Sequence, residues 1–191
     1  DASINDGYLK FLGLCSHEYF HLWNVKRIKP EAFSPYDLSK ENYTELLWAF
    51  EGITSYYDDL MLYKAGLIDE KRYLSLLAKT ITIVKKTNGR SKQTLAESSF
   101  YAWTKFYKQD ESAINSIVSY YSKGSLAALC LDLHLRKKTD GKTSLDTVMR
   151  TLWNTYGKKN KGVPENGVEH IAELVSGLDL HDFFHRIIRS T

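Results

Sequence analysis

The chain is poor in cysteine, with two in 191 residues. Cys15 and Cys130 both lie in apolar helical patterns, where a free thiol packs as a small hydrophobe. They are expected to be structural thiols, not a disulfide or metal ligands. Charge of one sign is also lacking: 26 basic against 23 acidic residues leave +3. That balance is too weak and too dispersed for nucleic acid, and Lys158, Lys159 and Lys161, beside Gly157 and Gly162, read as a solvated loop. No apolar run approaches the ~20 residues of a membrane span, and no signal peptide is visible. No internal repeat or low-complexity tract occurs. These shortages lead us to expect a soluble protein, cytoplasmic or periplasmic. The chain opens at Asp1 without a methionine, so a fragment of a longer protein is expected.

What is present is concentrated in a few stretches. Residues 17–21 read His-Glu-Tyr-Phe-His, and Glu51-Gly52 follows further along the chain. At about 100° per residue, positions four apart on a helix lie about 40° apart, so His17 and His21 leave one face a turn apart. Two ring nitrogens placed so can reach one small cation. Glu18, about 100° round from His17, stands beside the metal and does not ligate it. Two histidines and Glu51 leave a fourth tetrahedral position open for water, which separates a catalytic zinc site from a closed structural one. The alternative is a surface helix whose histidines merely flank Tyr19 and Phe20. Against it stands the apolar lead-in Tyr8, Leu9, Phe11, Leu12, Leu14 and Cys15, continued by Phe20, Leu22 and Trp23, which predicts a mostly buried helix. Two histidines and a glutamate buried there need partners, and Zn2+ supplies one.

The periodicity predicts helix after helix: Tyr8 to Asn24, Tyr43 to Ala65, Asp69 to Lys86, Leu95 to Tyr107, Tyr121 to Lys137, Leu145 to Tyr156, Val168 to Val175 and Leu180 to Ile188. Gly66 is a C-cap signal, Asp69 an N-cap, and Pro30 and Pro35 break the chain between the first two helices. Ile81 to Val84 has strand propensity, but its place inside a long amphipathic segment favours helix. The 43% hydrophobic content can bury one substantial core or two small ones. The fold class expected is mainly α.

His17 to Pro30 reads HEYFHLWNVKRIKP, Leu47 to Leu60 reads LWAFEGITSYYDDL, and Ser119 to Leu126 reads SYYSKGSL. These stretches resemble the M61 peptidases, the glycyl aminopeptidases, which belong with the thermolysin-like gluzincins. WNVKRIKP is far more specific to that family than the zinc motif. The resemblance runs from Tyr8 to about Ile188 and implies the helical lobe of a thermolysin-like zinc peptidase catalytic domain. It also implies that an α/β lobe and an amino-terminal β domain precede this chain, and that a PDZ domain follows it. The family's amine-recognition motif, similar to Gly-Leu-Glu-His, has no match here.

The resemblance implies hydrolysis of peptide substrates at an N-terminal residue, glycine or another small one, with His17, His21 and Glu51 holding zinc and Glu18 as general base. It assigns Tyr121, two residues before Lys123-Gly124, as donor to the oxyanion. On its residues alone, Tyr121 is as readily a core tyrosine at a helix start. Asp58, seven residues after Glu51, is the candidate to orient a ligating histidine from its far nitrogen; surface charge is the plainer alternative, and Asp59 lies about 100° away. Thr54 could bond in the same shell, whereas Trp23, Asn24, Lys26 and Arg27 carry no evident chemistry. A second pair, His181 and His185, has Asp182 in place of glutamate and no acidic ligand after it, so it reads as the rim of a terminal helix buried through Phe183, Phe184, Ile187 and Ile188. His134 and His170 are isolated. An endopeptidase and an inactive zinc-binding module remain as alternative readings. Self-association through the face left by a missing lobe is expected.

Overall fold

The computed structural model describes residues 5–191. Among them are nine α-helices and no strand: α1 (Asp6–Phe20), α2 (Ile53–Lys64), α3 (Glu70–Lys86), α4 (Leu95–Phe100), α5 (Ala113–Ser116), α6 (Ser122–Lys138), α7 (Leu145–Thr155), α8 (Gly167–Ser176) and α9 (His181–Ile188). The fold is mainly helical, and no helix among the described residues is long and apolar enough to cross a membrane.

Capping chemistry sets several of the boundaries. Asn5 accepts a hydrogen bond from the Tyr8 amide at the start of α1, and Asp69 accepts from the Arg72 amide at the start of α3. Thr94 and Glu97 form a reciprocal capping box on α4. Gly66, at φ +72°, follows α2 in the left-handed region that a Cβ disfavours. Ile81 to Val84 lies within α3, as the amphipathic pattern predicts. Two expected helices are interrupted. The segment before α2 is a π turn, Trp48–Gly52, and the expected helix over 95–107 divides at Tyr101 into α4 and a second π turn, Ala102–Phe106.

The core gathers around Trp48, Phe50, Ile53, Tyr120, Leu131 and Phe184, all 1–2% exposed. α1 lies along α2, α6 crosses both α2 and the Trp48–Gly52 turn, and α7 packs on α8. The crossing of α6 is unusually close, because two glycines meet there. A Cβ on Gly52 would lie 2.7 Å from the Gly124 backbone, and one on Gly124 would lie 3.0 Å from the Gly52 Cα. Only a residue without a side chain allows that approach on either helix.

Two expectations about burial are corrected. α1 buries Leu9 alone, while Phe11, Leu14 and Tyr19 are 57%, 57% and 64% exposed. The helix carries apolar residues on several faces, but its described neighbours are α2, α3 through the Asp6–Arg72 ion pair, and the Trp48–Gly52 turn through its histidines, and these leave Phe11, Leu14 and Tyr19 exposed. Cys15 and Cys130 are free and exposed, so neither packs into the core as a small hydrophobe.

Candidate active site

The C-terminal end of α1 and the Trp48–Gly52 turn bring three metal-ligating side chains together. His17, in the last turn of α1, and His21, which caps its C-terminus, direct Nε2 toward one carboxylate oxygen of Glu51, at 3.3 and 3.2 Å. One ligand atom from each of the three lies within 4.8 Å of the others. Their side chains are 13%, 12% and 19% exposed, so they are largely withdrawn from water. Among the described residues no other cluster of three such groups occurs. π turns recur at functional sites because the extra residue re-aims a side chain, and here the turn presents Glu51.

Both imidazoles are also gripped from behind. His17 Nδ1 lies 3.2 Å from Asp58 Oδ2, and His21 Nδ1 donates to the Asn24 main-chain carbonyl at 2.8 Å. Each contact places a proton on Nδ1 and turns Nε2 toward Glu51, the arrangement that outer partners of metal-bound histidines impose. Asp58 is held in turn: its other oxygen accepts from the Asp59 amide at 2.6 Å, and its carbonyl accepts from the Ser16 hydroxyl at 2.9 Å.

The electrostatics follow from this packing. Burial lowers the His17 pKa, but hydrogen bonds and charge from Asp58 and Glu51 outweigh it and carry it up to about 9. Burial raises Glu51, yet the two imidazoles prevail and hold it down to about 2. His21 is raised on balance, Glu51 and the Asn24 carbonyl overcoming burial. For Asp58 burial wins over the pull of His17, so its pKa is raised. A positive charge between the imidazoles and Glu51 is what this constellation favours, and a divalent cation meets the same demand.

The cluster lies in a cleft of about 760 Å³, open to solvent. Glu18 lines it beside His17 and is exposed. Tyr121, the residue before α6, lines it from the opposite side, its ring centroid 6.2 Å from that of His17. Its hydroxyl lies 3.3 Å from that of Tyr107, which accepts from Tyr120 at 3.3 Å. Burial raises the Tyr121 pKa first, the Tyr107 contact and the Glu51 charge adding to it, so the phenol stays protonated. The close meeting of Gly52 and Gly124 carries Tyr121 into this cleft.

The structure thus brings together His17, Glu18, His21, Glu51, Asp58 and Tyr121. It also brings in groups that carry no motif or that were passed over in favour of a neighbour. Tyr107 has no motif around it, and the partner of His21 is a main-chain carbonyl that any residue could supply. Asp59 lines the cleft with a carboxyl that burial and the Asp58 charge push up to about 6. Trp23, Lys26 and Arg27 are exposed. His181 and His185 stand exposed on α9 while Phe184 and Ile188 are buried, so the second histidine pair is the rim of a packed helix.

Comparison with known proteins is consistent with this geometry. The family model of the M61 glycyl aminopeptidases matches residues 10–127. A crystal structure of an aminopeptidase N family protein from Idiomarina loihiensis is similar over 100% of this chain, with 50% identity and a TM-score of 0.95. The chain spans 32% of the length of that protein. No curated protein matches the chain.

Proposed function

The chain belongs to the M61 glycyl aminopeptidase family, and on that premise we propose that it carries the metal centre of a zinc-dependent aminopeptidase acting on peptides with a small N-terminal residue, glycine foremost. The observation that carries the reading is the convergence of His17, His21 and Glu51, with the outer nitrogen of each imidazole already engaged. Two imidazole nitrogens and one carboxylate oxygen are the donor set of catalytic zinc sites, and their mutual spacing leaves room for one ion among them. When bound there, zinc supplies Lewis acidity, which brings the pKa of water near neutrality and polarises a carbonyl.

The remaining steps belong to the chain's own side chains. Glu18 faces the cleft beside the triad and is left out of it, so its carboxylate is free to take the proton of the attacking water and pass it to the leaving amine. Tyr121 faces the same space with a protonated hydroxyl and donates to the oxyanion formed at the carbonyl. Asp58 holds His17 in one tautomer, so that ligand needs no reorganisation. Recognition of the substrate amine is assigned to parts of the longer protein outside residues 1–191, and the exposed Phe11, Leu14 and Tyr19 face of α1 suits a further lobe packed there.

The test is a peptide-bond assay on the full-length protein with matched aminoacyl and amino-blocked substrates. Cleavage of the free-amine substrate alone is expected. Equal cleavage of both would make the protein an endopeptidase, and cleavage of neither by zinc-loaded protein would leave only a metal-binding module.

A further inference from the structure

One residue touches both halves of the metal-binding cluster. Asn24 closes the turn after α1 and is 2% exposed. Its main-chain carbonyl accepts from His21 Nδ1 at 2.8 Å. Its side-chain Nδ2 reaches the other element, donating to the carbonyls of Ala49 at 3.2 Å and Phe50 at 3.1 Å and to the Thr54 hydroxyl at 3.2 Å. Thr54 is fully buried and spends its own proton on the Phe50 carbonyl, at 2.7 Å, so toward Asn24 it can only accept. Three acceptors therefore surround one NH2 group. These carbonyls and this hydroxyl bracket Glu51 in sequence, and two of the three lie in the π turn that presents it. The turn after α1 is itself held in an uncommon shape: Val25, next to Asn24, has φ 144°, which a β-branched residue adopts only when its surroundings impose it.

We infer that Asn24 is a positioning residue that couples the two elements of the metal centre, its carbonyl fixing His21 and its carboxamide fixing the turn that carries Glu51. The inference rests on the metal-centre reading above. Asparagine suits the role because the main-chain carbonyl and the side-chain amide point to different elements while one buried residue supplies both. Aspartate would set an acceptor oxygen against three acceptors, and alanine would remove the tie from α1's end to this turn, leaving the Phe50 carbonyl to the Thr54 hydroxyl and the Ala49 carbonyl to the Ile53 amide. Groups outside the ligand set that orient ligating side chains are worth ~10–100-fold in metal affinity.

The experiment measures zinc affinity of the full-length protein by chelator competition, and the visible spectrum of the cobalt-substituted protein, for wild type, Asn24→Ala and Thr54→Val. Melting of each metal-free protein is recorded alongside. Leu152→Ala, in the core on α7, supplies a variant destabilised away from the site. Asn24→Ala is expected to bind zinc ~10–100-fold more weakly, with an altered cobalt spectrum. Thr54→Val, which removes one of the three acceptors and keeps the shape, should shift both in the same direction by less. Leu152→Ala should melt lower yet keep wild-type affinity and spectrum. Wild-type affinity and spectrum in Asn24→Ala, or in Thr54→Val should the alanine variant not fold, would overturn the inference and leave Asn24 a purely structural residue. Wild-type protein that takes up no zinc would instead overturn the metal-centre reading itself, a separate and recognisable result.

Discussion

Gly52→Ala is the perturbation whose outcome the structure specifies most closely. The new Cβ would sit 2.7 Å from both the Cα and the carbonyl carbon of Gly124, and 3.0 Å from the Tyr120 carbonyl oxygen. Carbon atoms pack comfortably at about 3.5–4.0 Å, so α6 must retreat by roughly 1 Å. Backbone lies on both sides, so no side-chain rotation relieves the clash. Overpacking of this kind costs ~1–3 kcal/mol, and in a chain of this size each kcal/mol lowers Tm by about 2–4 °C. Tyr121 stands three residues before Gly124 and moves with α6, whereas His17, His21 and Glu51 belong to the other elements. A displacement of about 1 Å at a group contacting the reacting atoms costs ~10² in rate. The variant should therefore keep its zinc, melt several degrees lower and lose about two orders of magnitude in kcat with little change in KM. Gly177→Ala is the matched control: it is strained by φ +68° but meets nothing within 4 Å, so it should melt lower with full activity. Metal analysis, melting and steady-state kinetics on the full-length protein decide the matter. Wild-type kcat in a stably folded Gly52→Ala would refute the role given to the glycine contact and to Tyr121. Activity lost together with zinc would show that the contact serves the ligands instead.

Glu18→Gln should retain zinc, being outside the ligand triad, and lose at least ~10²–10⁴ in kcat, as removal of a general base does; near-normal turnover would require another base. Zinc uptake should release on the order of one proton at pH 7.5, because His17, with its metal-free pKa near 9, must give up a proton to ligate; calorimetry in two buffers of different ionisation enthalpy reads this, and no release would contradict the electrostatics described. Asp59 has a folded pKa raised to about 6 by burial and Asp58, so its contribution favours folding below about pH 4 and is lost as pH rises through 6; Asp59→Asn should raise Tm at pH 7.5 and leave it unchanged near pH 4. Residues 1–191 alone, with Phe11, Leu14 and Tyr19 exposed, should self-associate in sedimentation and hydrolyse an aminoacyl substrate far less efficiently than the full-length protein; equal kcat/KM would place a complete site within this chain.

Much of the site was legible in the sequence because helical spacing is a strict rule. His17 and His21 had to share a face, and Asp58, two turns beyond Glu51, was the carboxylate placed to reach behind one of them. The aromatic and glycine positions around Tyr121 became informative only through the family resemblance, since Tyr120 beside it reads identically and proves to be core. Main-chain partners left no trace: the Asn24 carbonyl that holds His21 is present at every residue, and its amide is committed by a fold that no local pattern announces. The contact of Gly52 with Gly124 joins residues far apart in the chain, and periodicity carries no information about such pairs. The reading of α1 as buried failed for a related reason. An apolar helix states what it can bury, and only the neighbours decide what it does bury.

The central claim is that His17, His21 and Glu51 form one metal centre. Metal content after extensive dialysis, compared between wild type and a His17→Ala, Glu51→Ala double variant of the full-length protein, tests it most directly. The account predicts about one zinc per wild-type chain and none in the folded double variant. Zinc retained undiminished in the double variant would contradict it.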